Sequence, residues 1–458
     1  MFNLFKLTTM KSIIFFLFLS SISFAQTIEG VVLDVTTNKP VKAAHVYVTN
    51  IEHGTITNFR GKFKLNLSNV NGIDSVYVSH IGYKKKAFIY SQKKKRYIVF
   101  LEPNTNTLSE VELTGVKRKL NLRLHYNKLT SMKKGLYSFG SMIKDDKIYV
   151  IGGNASYKED EMKKILEFYP FDFDDVKRQP NLLKRKRNFI NEFYNGDLLV
   201  YDLNLDFWES ADIKFRKRAY HNLHYNDNKF YVLGGKRLSM GRKYEYLDDK
   251  IEVFDNESNT IQIDYTNPHQ AVDFASFIYD NKIIVMGGAV KRRKSGQIIY
   301  TDKVHLYDLE SGFWYELASM PYAKETNGVL IENRIYLVGG IRGRSLSSIE
   351  SFDLISGKWK KEGELFERFA KPAVTYNGDI VYMFEDEKVV TYNTKTKELN
   401  QYLIDLDLKA SKLYYANNKL YILGGYRENS FSVKPSANLY SIDLREFETT
   451  KIYKSKRL

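Results

Sequence analysis

Few side chains in this 458-residue sequence are spaced to do chemistry. His221 and His224 stand three apart, a spacing that on a helix would serve a metal. Here the surrounding residues read as a strand, where odd spacing sends side chains to opposite faces, so no joint ligand set is expected. Asp172, Asp174 and Asp175 could offer carboxylates to calcium, yet the glycine turn and distal bidentate glutamate of a calcium loop are missing. The sequence has no glycine-rich phosphate loop, serine nucleophile elbow or His-Glu-x-x-His. Cysteine is absent, which excludes disulfides, thiol catalysis, cysteine-ligated zinc, iron–sulfur clusters and a cysteine-anchored lipoprotein. No metal or cofactor is expected, and the chain reads more as a binder than as an enzyme.

Positive charge is what the sequence has in surplus, at a formal +16. Much of it follows Gly-Gly pairs. One such loop carries Lys236, Arg237, Arg242 and Lys243, and the next Lys291-Arg292-Arg293-Lys294. Arg342 and Arg344 come after a third pair, Arg427 and Lys434 after another. Arginine forks suit carboxylates, sulfates and phosphates, so Arg237, Arg242, Arg292, Arg293, Arg342, Arg344 and Arg427 are the candidate binding residues. An anionic glycan or an acidic protein segment is the expected partner, against the plainer reading of solvated loops.

These loops are positioned by an internal repeat. Lys147-Ile-Tyr-Val-Ile-Gly152-Gly153 recurs, with variations, at Lys229–Gly235 (Gly234, Gly235) and at Lys282–Gly288 (Gly287, Gly288). It recurs again at Arg334–Gly340 (Gly339, Gly340) and Lys419–Gly425 (Gly424, Gly425), with a degenerate copy ending in Phe384-Glu385. Each is a short apolar strand entered from an Asn/Asp-rich turn. Downstream of each pair comes an aromatic or aliphatic residue with Asp or Asn, such as Tyr201-Asp202, Tyr307-Asp308 and Phe352-Asp353. A large side chain then follows six residues after the Asp or Asn: Trp208, Trp314 and Trp359 in those three, Ile261, Leu399 and Thr449 in the others. Every unit thus predicts four antiparallel strands, and six units predict an all-β, six-bladed propeller over 137–453. The paired glycines are expected where neighbouring blades crowd the backbone, and the tryptophans in the wedge between sheets.

The Gly-Gly … Tyr-Asp … Trp pattern resembles the kelch repeat. A copper-radical oxidase on that scaffold would need a cysteine bound to tyrosine and is excluded. The other enzyme reading is a carbohydrate-active propeller similar to the exported kelch sialate mutarotases, which would draw its acid–base residues from channel-lining Arg342, Arg344, Glu325 and His221. The first unit holds a surplus at 154–195. It carries a stretch of helical character at Lys158–Phe168 and the basic run Lys184-Arg185-Lys186-Arg187.

Residues 27–102 predict a small β-sandwich, and 103–136 a linker or an edge element docking onto the propeller. The quoted residues are Gly30-Val31-Val32 with Asp34, Lys39-Pro40-Val41, Thr57-Asn58, Gly61-Lys62-Phe63 and Ser79-His80-Ile81-Gly82-Tyr83. They resemble the carboxypeptidase-regulatory-like, or transthyretin-like, domain of Gram-negative envelope proteins, which is non-catalytic. Residues 1–25 read as a signal peptide: Lys6 and Lys11, then Ile13–Leu19, then Ser23-Phe24-Ala25 as a cleavage site. Export to the periplasm or cell surface is therefore expected, with no nucleic-acid partner and no transmembrane segment in the mature chain.

Overall fold

The computed structural model describes residues 27–458 apart from 49–53, 68–74, 92, 105–119, 161–162, 165–166, 168–188, 192 and 243. The signal peptide, Asp172, Asp174, Asp175, Lys243 and the 184–187 basic run lie outside the described residues. Two compact units divide the chain, 1–117 and 118–458. No helix among the described residues is long and apolar enough to cross a membrane.

In the first unit, Thr27–Asp34 is flanked by Lys62–Asn66 (antiparallel) and Arg96–Leu101 (parallel). A second sheet runs in the order Gly54–Ile56, His45–Tyr47, Ser75–Ser79, Lys86–Ile89. Period-two alternation sends Phe63, Leu65, Val76, Val78, Tyr97, Val99 and Leu101 into a shared core. Asp34 ties the fold together: its carboxylate accepts bonds from the backbone N–H of Thr36 and Thr37 and from the Tyr83 hydroxyl at 2.7 Å. The short strand Gly54–Ile56 was not predicted.

In the second unit, blade one comprises Gly140–Lys144, Lys147–Ile151, Asp197–Asp202 and Phe207–Lys214. Blade two is Asn222–Asn226, Lys229–Leu233, Ile251–Asp255 and Thr260–Asp264, and blade three Ala275–Tyr279, Lys282–Met286, Val304–Asp308 and Trp314–Glu316. Blade four is Glu325–Ile331, Arg334–Ile341, Leu346–Asp353 and Lys358–Phe369. Blade five holds Ala373–Asn377, Ile380–Glu385, Lys388–Asn393 and Glu398–Leu403, and blade six Lys412–Ala416, Lys419–Leu423 and Leu439–Asp443. First strands neighbour one another in this order, and Lys412–Ala416 returns to Gly140–Lys144, so the ring of six closes.

Cross-strand register explains the recurring offset. Tyr201 pairs with Trp208, Tyr307 with Trp314, Phe352 with Trp359, Phe254 with Ile261 and Tyr392 with Leu399. The intervening Asp or Asn accepts backbone N–H bonds within the turn, as Asp308 does from Glu310 and Ser311. Tyr307 and Trp314 stack with ring centroids 4.6 Å apart, Phe352 and Trp359 at 4.7 Å, so the three tryptophans are structural. In blades one, two, three and six the turns between first and second strands place both central residues at positive φ, for instance Asp227 at 45° and Asn228 at 58°, whereas in blades four and five only the first, Glu332 or Gly378, is so placed.

The glycine pairs do what crowding predicts. At Gly152 an added Cβ would stand 2.8 Å from the Arg218 carbonyl of the next blade. At Gly340, with φ 107°, it would meet the Glu325 carbonyl at 1.9 Å. The second glycine also donates its N–H across the blade boundary, from Gly153 to Arg218, Gly235 to Ala271, Gly288 to Lys324 and Gly425 to Leu136.

Three expectations need correction. Thr449 does not sit on a fourth strand, because Glu446–Thr449 is a short helix. Blade six is completed by Asn127–Leu129, which pairs with Leu439–Asp443, so part of the expected linker is a blade strand. Closing the ring with a strand from the other end of the unit removes an exposed edge. At that other end, Lys454–Arg457 joins blade five beyond Glu398–Leu403. Finally, the stretch Lys158–Phe168, expected to have helical character, is helical at Lys163, Lys164 and Glu167, but its first two residues belong to the strand Tyr157–Glu159. With Phe189–Asn191 and the blade-six strands Tyr426–Glu428 and Ser432–Pro435 it forms a separate sheet.

Candidate functional site

One backbone device repeats at the end of the channel where first strands begin. Tyr137, Ala219, Val272 and Lys409 make isolated bridges to the loops after the glycine pairs, at Asn154, Lys236, Ala289 and Tyr426. The next residue in each blade is left-handed: Ser138 (51°), Tyr220 (64°), Asp273 (52°) and Ala410 (50°). Such conformations in non-glycine residues persist only where surrounding structure enforces them, and they gather at functional sites. These four line an inner cavity of about 70 Å³, with Glu325 and Lys371 at the corresponding places of blades four and five.

A second cavity of about 320 Å³ lies between the loop hairpins of blades two and three. Lys236, Glu245, Tyr246, Lys291, Arg292 and Ile298 contribute to its wall. Tyr220, Asp273, Glu325 and Lys371 line both cavities and so form the partition between them.

The partition is strongly coupled. Lys371 Nζ donates to Asp273 Oδ2 at 2.6 Å and stands 5.3 Å from the centre of the Tyr220 ring. Lys236 lies 4.5 Å from the same ring and donates to Glu245 at 2.8 Å. Asn154 donates to the Tyr220 hydroxyl at 3.1 Å. Burial, reinforced by the Asp273 charge, pushes the Glu325 carboxyl up to about 7. Burial opposes the charge on Lys371, but Asp273 and Glu325 outweigh it and hold the ammonium above the usual lysine range. The Tyr220 phenol is pushed well up by burial. A proton-holding carboxyl, a fixed cation and two tyrosines can together bind a polar ligand and exchange a proton with it.

Of the predicted arginines, the structure brings Arg292 to this site, beside Lys291. Arg237 packs near it, its guanidinium carbon 5.7 Å from the Tyr246 ring. Arg293 donates to Gln297 in an exposed turn. Arg242 lies over Phe193 and Arg342 over Tyr322, while Arg344 and Arg427 are exposed, and none of these lines the channel mouth. The enzyme reading drew on Arg342 and Arg344; both stand in an exposed turn and neither is among the residues lining the two cavities. His221 lines the inner cavity, buried with Nε2 at 3.1 Å from Gly140 N and 3.0 Å from Ile151 O, and burial drives its pKa far down. His224 Nε2 bonds the Ser276 hydroxyl instead, at 2.7 Å. Among the described residues no group of three His, Asp or Glu converges as a metal site.

Tyr220, Asp273 and Lys371 escaped the sequence reading because they stand two residues before the first strands, where copies share no residue type, and Lys412 because it opens its strand at a position that is equally variable. Counting back from each first strand to the same place would have collected the first three.

Comparison with known proteins agrees with this architecture. Residues 28–113 match the CarboxypepD_reg-like domain and residues 326–365 the Kelch motif. Human Kelch-like protein 23 is 28% identical over 139 residues, 30% of this chain and 22% of that protein. Human Kelch-like protein 38 is 25% identical over 244 residues, 50% of this chain and 40% of that one. The matches thus span less than half the length of these relatives. The solved structure of YjhT superposes with a TM-score of 0.50 at 13% identity, covering 69% of this chain and 99% of that one, a likeness of fold. The chain is a carboxypeptidase-regulatory-like domain followed by a kelch β-propeller.

Proposed function

We propose that this is an exported envelope protein whose propeller binds an anionic ligand at the channel mouth, an acidic glycan before an acidic protein segment. The cavity between the blade-two and blade-three hairpins carries the reading. Its wall joins Lys236, Lys291 and Arg292 to a tyrosine, Tyr246, and an apolar residue, Ile298. Cations match a carboxylate or sulfate, while aromatic and apolar surface suits a sugar face. Calorimetric titration of the full chain with D-glucuronate and D-glucose tests it. The acid sugar should bind and the neutral one bind at least tenfold more weakly. The double charge reversal K291E/R292E should abolish the preference. Equal behaviour of both sugars, or an indifferent double variant, overturns the reading.

Glu325 favours a second reading, sugar ring opening by acid–base transfer, because a carboxyl titrating near 7 both gives and takes protons at neutral pH. Saturation-transfer NMR on an acidic sugar would then show anomer exchange that E325Q loses. Binding without exchange leaves the non-catalytic reading standing.

A further inference from the structure

The inner cavity holds a feature the outer one does not explain. Lys412 opens blade six and lines this chamber with Ser138, Ser411, Asn222 and Lys371. The other cations at or near the chamber have mates: Lys371 bonds Asp273, and neighbouring Lys324, fully buried, bonds Glu350 at 2.7 Å, while the Glu325 carboxyl in the same lining is pushed up by burial. No hydrogen bond or ion pair engages the Lys412 ammonium among the described residues. The charge that reaches it is that of Asp273, already bonded to Lys371, and its own positive field helps to keep the buried imidazoles of His221 and His224 neutral. Burial holds Lys412 below the ordinary lysine range, the mark of an ammonium lacking its counter-charge.

We propose that the inner cavity is a small-anion subsite in which the Lys412 ammonium receives a carboxylate, either that of the bound ligand or a free carboxylate ion. The inner cavity, about 70 Å³ against about 320 Å³ for the outer one, is the narrower of the two and has room for a carboxylate. The nearby Ser138 hydroxyl offers a donor to a remaining oxygen lone pair, while that of Ser411 donates to the Gly424 carbonyl at 3.3 Å. The four partition residues are then a threshold: the ligand body stays in the outer cavity, and its charge passes between Tyr220 and the Asp273–Lys371 pair. The ligand-borne form rests on the channel-mouth binding proposed above; the free-ion form does not.

Formate is the probe for the subsite and D-glucuronate for the ligand, on the full chain. Formate should bind wild type, bind K412M at least tenfold more weakly, and recover in K412R. Circular dichroism and melting of K412M establish that it folds, and the K412R rescue separates lost charge from lost structure. If formate competes with glucuronate, and K412M weakens glucuronate at least tenfold while sparing glucose, the carboxylate is the ligand's. If formate binds through Lys412 but no acidic sugar binds, the subsite is a free-ion site and the channel-mouth reading fails alone. Should K412M bind formate as wild type does, or wild type bind none, the subsite is refuted. An effect of K291E/R292E on glucuronate would then leave the channel-mouth reading in place.

Discussion

Lys371 of blade five and Asp273 of blade three, 98 residues apart in sequence, meet at 2.6 Å and bracket Glu325 of the blade between them. The pair is about three-quarters buried, so each group depends on the other for its solvation. K371M should leave a carboxylate facing Glu325 and destabilise the propeller by about 1–3 kcal/mol in urea unfolding. The double variant D273N/K371M should recover part of that loss. Strict additivity of the two changes would show that the contact carries no coupling.

Glu325 sets a pH dependence. Its folded pKa, about 7, lies above the unfolded value, so the folded state binds the proton more tightly. The stabilising contribution is complete below about 4.5 and is lost as pH rises through 7, by about 3 kcal/mol in total. Wild type should therefore lose stability relative to E325Q between those limits. D273N should lower the Glu325 pKa, because the Asp273 charge helps raise it. Parallel pH–stability curves for wild type and E325Q would contradict the assignment.

Gly340 and Gly343 both have positive φ, but only Gly340 faces a carbonyl that a Cβ would strike. G343A should cost about 1 kcal/mol from the left-handed backbone alone. G340A should cost more than about 3 kcal/mol, since backbone must move. Similar melting temperatures for the two variants would argue against the crowding explanation of the paired glycines.

The strand Asn127–Leu129 completes blade six, and Trp208 Nε1 donates to the carbonyl of the adjacent Thr130 at 2.9 Å. A chain beginning at Arg118 should melt cooperatively, whereas one beginning at Lys133 should lose hydrogen-exchange protection in Leu439–Asp443. Equal protection in the two chains would show that the ring holds without its closing strand.

Arg218 is buried with Glu252 at 2.7 Å and Asp248 at 3.4 Å. R218M takes the side-chain cation from Glu252, while Asp248 keeps Arg216 at 3.2 Å, and should cost about 3–5 kcal/mol, with little effect on sugar binding. A loss of binding without a loss of stability would move Arg218 into the site.

The sequence by itself determined the all-β class, the repeat, the blade turns and the two-part organisation, because these rest on local rules. Period-two alternation buries one face, a two-residue turn needs positive φ, and the Tyr201–Trp208 spacing is a hairpin register. It could not supply the closing strand, since Asn127–Leu129 carries little apolar pattern and is a strand only because Leu439–Asp443 lies waiting 310 residues later. Nor could it assemble the site. Asp273, Glu325, Lys371 and Lys412 come from four blades and share no motif, and what unites them is their distance from an axis that exists only once the ring has closed.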